Sequence, residues 1–354
     1  EQPAAEDPGQ VIDISTLKLP EVSLVDALNL PVEQALGLLS TAGLAEAALM
    51  LRTPSELSDG QRYRFRLALA LSRNPRWIIA DEFTATLDRH LAQVIAFNLR
   101  RLASRTGTGF LLATTHEDIL TDLQPDLHIR PDLDGRTTVT RHASKKKRFS
   151  LAHGCHITRA TRADWPYFAR WHYRSHRIGI LRFATLLWHD TTPVGICLFT
   201  SAPHALTMRN RFFGHRPRWS RTALRLRDRQ LVMLSRIVIH PAWRGAGIAT
   251  DFVRASCRLC PWPWIETLTQ MGHINPFFER AGFTRVGAVT PPETRRSSRT
   301  QHSAIYGKRP SAHAPRRLLS PETHRKSRYA APVYYILDNR QHTTAPSGPD
   351  STTS

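Results

Sequence analysis

The chain has 354 residues, 22% of them charged, with a formal net charge of +20 at pH 7 and four cysteines. That length leaves room for two domains, each able to bury a core. Four scattered cysteines (Cys155, Cys197, Cys257, Cys260) exclude a disulfide scaffold and predict a reducing, cytoplasmic compartment, while the lack of a signal peptide or a bilayer-length apolar run argues against secretion and against a membrane partner.

The charge is unevenly spread. Lys and Arg minus Asp and Glu come to −6 over residues 1–140, +5 over 141–150 and +21 over 151–354. Two units with different surfaces are therefore expected, and a polyanion such as nucleic acid is the natural partner of the second. An arginine-favouring composition would give the same numbers without any partner. The spacing of Cys257 and Cys260 suits zinc or redox chemistry, but no second pair completes it, so buried thiols are expected. The chain does not begin with Met, which predicts further residues upstream.

In the first unit, Val11–Ile14 reads as a short strand, and Ser23–Leu30 and Val32–Met50 carry helical spacing broken by Pro31 and Gly43. Glu56–Arg64 then leads into a helix ending near Ser72, with Ser58 as a suitable N-cap and an Asp59-Gly60 turn that exposes N–H groups. Trp77–Ala80 is an apolar strand that ends in Asp81 and Glu82, where a metal and a water are easily held. Ala85–Asp88 follows, then a helix over about 91–104. A second apolar strand, Gly109–Thr114, ends in Thr115, His116, Glu117 and Asp118.

In this order and spacing the pieces resemble the C-terminal half of an ABC-type ATPase. Leu57–Gln61 (with Ser58, Asp59, Gly60, Gln61) looks like the signature loop, Asp59 standing where a glycine is usual. Ile78–Glu82 looks like Walker B, Ala85–Asp88 like the D-loop, and His116 like the switch histidine. By that resemblance Asp81 would hold the water shell of Mg²⁺, Glu82 would act as base on the attacking water, and His116 would sense the γ-phosphate. No G-x-x-x-x-G-K-[ST] occurs anywhere in the chain, so the phosphate-cradling loop is absent. ABC subunits hold nucleotide between one Walker A and the partner's signature loop. ATP and Mg²⁺ are therefore expected only where a missing Walker A is supplied, through upstream residues or an ABC partner; a homodimer, the usual ABC pairing, would bring two signature loops and no cradle, and the alternative is a relic.

Residues 141–150 form a basic linker, read as a solvated hinge or as a phosphate-backbone contact. The second unit runs over 151–340. It holds a helix over Ala163–Tyr173 leading into Trp171–His176, and strands at Ile178–His189 and Pro193–Ser201 joined at Asp190. An arginine-rich stretch follows over 208–229 (Arg209, Arg211, Arg216, Arg218, Arg221, Arg225, Arg227, Arg229), interleaved with Phe212, Phe213 and Trp219. Arginines among aromatics suit backbone and stacking contacts with nucleic acid, or an ordinary loop with snorkelling side chains. A β-branched run, Ile237, Val238 and Ile239, stops at His240-Pro241. Arg244-Gly245-Ala246-Gly247-Ile248-Ala249 and an amphipathic helix, Thr250–Leu259, come next. Strand, glycine turn and helix N-terminus converge on one point, which suits a diphosphate. A strand at Trp264–Met271 and a helix over Asn275–Phe283 follow, with Asn275 as N-cap. Residues 290–330 read as an insertion or disorder, Ala331–Leu337 as a last strand of the sheet, and 341–354 as a disordered tail.

This second unit resembles the GNAT acyltransferase superfamily, with Arg244–Ala249 fitting its R-x-x-G-x-G/A loop and Asn275–Phe283 its second cofactor motif. The resemblance implies an α+β domain with a mixed central sheet behind a partial ABC-type α/β domain. It also implies that Ile237–Ile239 would pair with the pantetheine arm of acetyl-CoA and that the amides of Gly245–Ala249 would take the diphosphate. The usual tyrosine acid is missing after the cofactor strand, where Phe277 and Phe278 stand. Tyr334 or Tyr335 is the substitute candidate acid, and Glu266, then His172 or His176, the candidate base. Trp171–His176, Leu234–Arg236 and Met271–Phe277 also echo the Mom-like GNAT relatives, phage enzymes that modify adenine in DNA.

Three functions follow as expectations: an N-acyltransferase acting on or with nucleic acid and coupled to an ABC-type ATPase; a protein or small-amine acetyltransferase with a relic ATPase half; and a non-catalytic, DNA-binding ATPase accessory.

Overall fold

A computed structural model of the chain describes residues 11–132, 134–142, 150–172, 177–204, 206–214, 220–273, 275–289 and 331–342. The expectations placed on His176, most of the basic linker, Arg216, Arg218, Trp219, the 290–330 stretch and the 343–354 tail lie outside them. The fold class is α/β, with three separate sheets among the described residues. The described residues form two compact units, the first of residues 11–154 with His240–Ile248, the second of Cys155–Ile239, 249–289 and 331–342.

The first unit is built on β1 (Val11–Asp13), β2 (Trp77–Ala80) and β3 (Gly109–Leu112), parallel in the order β1-β2-β3. Parallel strands need crossovers, supplied here by helices that include Asp59–Ser72 and Arg89–Thr106. The first opens where Ser58 caps it, exchanging hydrogen bonds with Gln61 in a capping box. The second opens on Asp88, which accepts from the amides of His90 and Leu91, and closes on left-handed Gly107. Phe65, Leu69, Ile78, Phe83, Leu91, Ile95 and Leu99 pack into one core. The helical spacing over 32–50 is interrupted at Gly43 as expected, giving Val32–Thr41 and Ala47–Met50 on either side of its left-handed backbone. A hairpin of β4 (Leu127–Pro131) and β5 (Thr137–Arg141) was not foreseen. Its strands are short and almost wholly exposed, so they carry no in-out alternation to read.

The second unit is a mixed seven-stranded sheet of β6 (Cys155–Arg159), β7 (Leu181–His189), β8 (Thr192–Thr200), β9 (Leu231–Ile239), β10 (Trp264–Thr269), β11 (Thr284–Ala288) and β12 (Val333–Asp338). The order is β11-β12-β10-β9-β8-β7-β6, antiparallel throughout except at β9 and β10. The last described strand, β12, thus enters the sheet internally, between β10 and β11. The helix Ile248–Leu259 lays Phe252, Val253, Ser256 and Cys257 inward. A Cβ at Gly195 would stand 3.2 Å from the Phe252 ring and 2.9 Å from Ile239, so that glycine lets the helix sit down on the sheet. Cys197, Cys257 and Cys260 are buried free thiols. The expected helix over 163–173 is only a 3-10 turn and Trp165–Ala169.

Two first-unit glycines should respond oppositely to alanine. At Gly60 a Cβ would meet the Thr86 carbonyl at 2.9 Å, whereas at exposed Gly37 it meets nothing within 4 Å. Denaturant unfolding should show Gly60→Ala destabilised by about 1–3 kcal/mol and Gly37→Ala stabilised by about 0.5–1 kcal/mol.

Candidate functional site

The acidic edge of the first unit lies at the C-terminal ends of β2 and β3. Ala113 N–H donates to the Ala80 carbonyl (3.0 Å) and Phe83 N–H to the Ala113 carbonyl (2.7 Å), so the two ends stay side by side past the last ladder pair. Asp81 and Glu82 leave one end exposed, and half-buried His116 leaves the other. Glu82 (φ 49) and Thr84 (φ 69) are held in the left-handed region, a strained backbone that turns the chain sharply after the strand. Glu82 N–H is satisfied by the Asp81 carboxylate at 2.8 Å. The Gly60 turn abuts this same loop through Thr86, which puts Ser58–Gln61 against the segment that follows Asp81 and Glu82. Asp59 is exposed and pairs with Arg62 at 3.2 Å. Asp118, two residues past His116, is held below the usual carboxylate range by the Arg89 hydrogen bond. No group of three or more Asp, Glu, His or Cys that could hold a metal occurs among the described residues.

In the second unit, Ile237, Val238 and Ile239 lie on β9 and Glu266 on β10. These parallel neighbours pair only from Leu231, Val232 and Met233 to Trp264, Ile265 and Glu266, and then part. At the parting point the Thr267 hydroxyl donates to the Leu234 carbonyl (2.9 Å), a side chain standing in for the lost ladder. On its other side β9 bulges: Leu198 faces Arg236, Phe199 faces Leu234, and Ser235 is the extra residue, its hydroxyl turned to the Leu198 carbonyl at 3.2 Å. The stretch of β9 with Ser235, Ile237 and Val238 therefore pairs with β8 alone, and its other edge faces the gap left by β10.

Glu266 ends the paired stretch and is fully buried. Its carboxylate accepts a two-pronged bond from Arg209, Nε at 2.7 Å with Nη2 on the second oxygen, and a third bond from the Tyr334 hydroxyl at 2.9 Å. A base must be reached by its substrate, so the expected role of Glu266 gives way to a structural one. Arg209 itself is 1% exposed, and its Nη1 donates to the Pro203 carbonyl at 2.8 Å. It is a buried counter-ion and not the nucleic-acid contact expected of it. Tyr334, with its hydroxyl on Glu266, has its ionisation pushed well above the ordinary tyrosine value, by burial first and then by the adjacent carboxylate. Tyr335 points to the opposite face, donating to Glu279 (2.8 Å) and the Gly272 carbonyl (3.3 Å). Burial, then Glu279, pushes it up to about 12, a weaker acid than an ordinary tyrosine. His172 is half-buried and edge-on to Trp165 at 5.8 Å.

The glycine turn has the backbone its sequence required, Gly245 at φ 90 and Gly247 at φ 81, both left-handed. It begins on His240, whose Nδ1 accepts from Ala242 N–H, and opens the helix Ile248–Leu259. The turn groups with the first unit. Trp243 stacks on His90 at 5.5 Å, and a Cβ at Gly245 would meet the Asn98 amide nitrogen at 2.7 Å. Close packing on Asn98 and a left-handed backbone thus each call for glycine at 245. Ala246 and Ile248 are buried, and Arg244 and Ala249 half-buried. Asn275 precedes the short helix Phe277–Arg280, for which Pro276 takes the cap position, so the expected N-cap shifts by one residue. The Arg209 partnership was missed by sequence reasoning; the available signal was a glutamate in the middle of an apolar strand, which must find a cation.

No protein-family profile matches the chain. Curated relatives include the lipoprotein-releasing system ATP-binding protein LolD of Bordetella pertussis, 34% identical over 122 residues (31% of this chain, 52% of the relative). LolD of Paramagnetospirillum magneticum is 35% identical over 112 residues (28% and 49%). The chain spans about half the length of the curated relatives it matches. Among solved structures, the dimeric ATP-binding cassette MJ0796, bound to ADP and Pi, matches at 25% identity and TM-score 0.28, covering 31% of this chain and 54% of that one. A histone acetyltransferase HPA2-related acetyltransferase from Corynebacterium glutamicum matches at 12% identity and TM-score 0.26, covering 40% and 90%. Part of the chain is thus similar to ATP-binding cassette proteins, and no described helix is long and apolar enough to cross a membrane.

Replacing Glu266 by Gln should leave the Arg209 guanidinium buried without its anion. A loss of about 3–5 kcal/mol is expected in thermal or denaturant unfolding, and the double change Arg209→Met with Glu266→Leu should cost less than the two single changes together.

Proposed function

We propose that the second unit is an N-acyltransferase that uses acetyl-CoA and acts on nucleic acid, and that the first is the signature half of an ATP-binding cassette. The observation that carries the first part is the parting of β9 from β10 beside the bulge at Ser235. It leaves a strand edge at Ile237 and Val238 to which an extended, amide-bearing arm can add as another strand would. The N–H groups of Gly245–Ala249 and the first turn of Ile248–Leu259 are the donors for its diphosphate. Acetyl-CoA, when bound, supplies an activated thioester carbonyl. The protein's part is to hold and orient it along β9. Glu266 is committed to Arg209, which leaves His172 among the nominated bases with a described, half-buried ring.

For the first unit, Asp81, Glu82 and His116 occupy adjoining strand ends beside the Ser58–Gln61 turn, an arrangement consistent with one side of a nucleotide site. The residues that would cradle the phosphates are not in this sequence. Nucleotide and Mg²⁺ therefore do not fit this chain alone, and ATP chemistry here depends on a Walker A from another segment or subunit.

Titration calorimetry tests the acyltransferase reading. The full chain should bind acetyl-CoA at one site, and Gly247→Glu, which puts a carboxylate at a left-handed position beside the diphosphate donors, should lower affinity at least tenfold. Absence of binding by the unaltered chain would remove the enzyme reading.

A further inference from the structure

Of the arginine-rich stretch, the helix Arg221–Gln230 sorts its cations into two kinds. Arg227 is buried, donating to the carbonyls of Pro203 (3.3 Å) and His204 (3.1 Å) and to Asp228 (3.1 Å from Nε). It anchors the helix and also neutralises the helix's only acid. Arg221, Arg225 and Arg229 are exposed, and none of the three has an ion pair with a described carboxylate.

Their spacing of four residues places them in one row along the helix, about 6 Å of rise per step and about 12 Å from first to last. Three like charges in a row repel one another. A helix face that is merely solvated usually interleaves acids; here one acid, Asp228, stands beside three arginines, three residues on from Arg225, and Arg227 already holds its Oδ1. At the C-terminal end of the row the indole of Trp262 donates to the Asp228 carbonyl at 3.1 Å, fixing a half-buried ring there. The exposed Arg182 guanidinium lies over that ring, 5.7 Å from its centre.

We infer that this face is a binding surface for single-stranded nucleic acid, with Arg221, Arg225 and Arg229 on successive phosphates and Trp262 with Arg182 as a stacking platform for an unpaired base. The inference rests on the nucleic-acid part of the proposed function and names the surface that performs it. A regular single-file row of guanidinium groups matches the repeat of one sugar–phosphate chain, and a ring face beside it serves bases that are not already stacked in a duplex. An extended acidic polypeptide can repeat its carboxylates at a similar step, but it sets no row of flat rings beside them.

The test is fluorescence anisotropy of a labelled ~20-nucleotide single strand with the full chain, between about 50 and about 200 mM salt. The unaltered chain should bind with steep salt dependence. The triple variant Arg221→Glu, Arg225→Glu, Arg229→Glu should bind at least tenfold more weakly, with the slope of log K against log salt reduced by about 2. The triple lysine variant should keep most of the slope, and circular dichroism with thermal unfolding of each variant shows that the unit is still folded. Tight binding by the unaltered chain that the glutamate variant retains, with the same slope, would overturn the assignment of this surface alone. No binding by the unaltered chain at low salt would overturn the nucleic-acid reading with it. Displacement of the strand by duplex DNA or by polyglutamate as effectively as by unlabelled strand would overturn the single-strand assignment.

Discussion

The second unit depends on a carboxylate taken out of water. Glu266 sits where β9 and β10 stop pairing, and a buried carboxylate is tolerable only when its oxygens are bonded and its charge is met. Arg209 meets the charge from the helix Thr207–Phe212, and Tyr334 completes the bonding from β12. Three segments distant in sequence are thereby fixed around one point. The helix is drawn onto the sheet face, and β12 is registered so that Leu268 stands opposite Tyr334. The strands that follow are free to diverge because the cluster, with Thr267 on the Leu234 carbonyl, secures the apex of the gap. A feature that first reads as acid–base chemistry is the mechanical basis of the cleft beside it.

Much of the fold could be read directly because its signals are local. Ser58 and Gln61 announce a capping box, Trp77–Ala80 is apolar and short, Asp190 and its neighbours mark a hairpin, and Phe252, Val253 and Ser256 recur at helical spacing. What escaped was either too exposed to show alternation, as in β4 and β5, or set by long-range partners. β9 begins six residues before the β-branched run because Leu231 and Val232 are registered by β10, over thirty residues away. The candidate site divides the same way. The strand edge and the glycine turn lie in one continuous stretch, and so were visible. The state of Glu266 depends on Arg209, 57 residues earlier, and Tyr334, 68 later, and no spacing rule connects them.

In the first unit the constraint is steric. β2 must turn at once after Asp81 so that Phe83 can enter the core, and it does so through left-handed Glu82 and Thr84. Such backbone is costly for residues with side chains and persists only where surroundings enforce it. Here Phe83 N–H on the Ala113 carbonyl, Ala85 N–H on the Glu82 carbonyl and the close packing of Gly60 on Thr86 do so. The consequence is that Glu82 is turned outward beside Asp81 while its neighbour is buried. Asp59 adds no strain to this geometry, since it is exposed and paired to Arg62 on the helix it begins.

Charge in this chain cannot be interpreted by counting. The 208–229 stretch looks uniform in sequence, yet the fold uses Arg209 and Arg227 as internal anchors and leaves Arg221, Arg225 and Arg229 outside. The two uses are energetically linked. The buried pair engages the nearby acids, Glu266 and Asp228, in structure, so among the described residues no ion pair balances the outer row. An exposed row left without counter-charge is a face whose field is met by solvent ions, and release of those ions is what makes binding of a polyanion favourable. The arginines that hold the unit together are in this sense also the reason that its surface is left cationic.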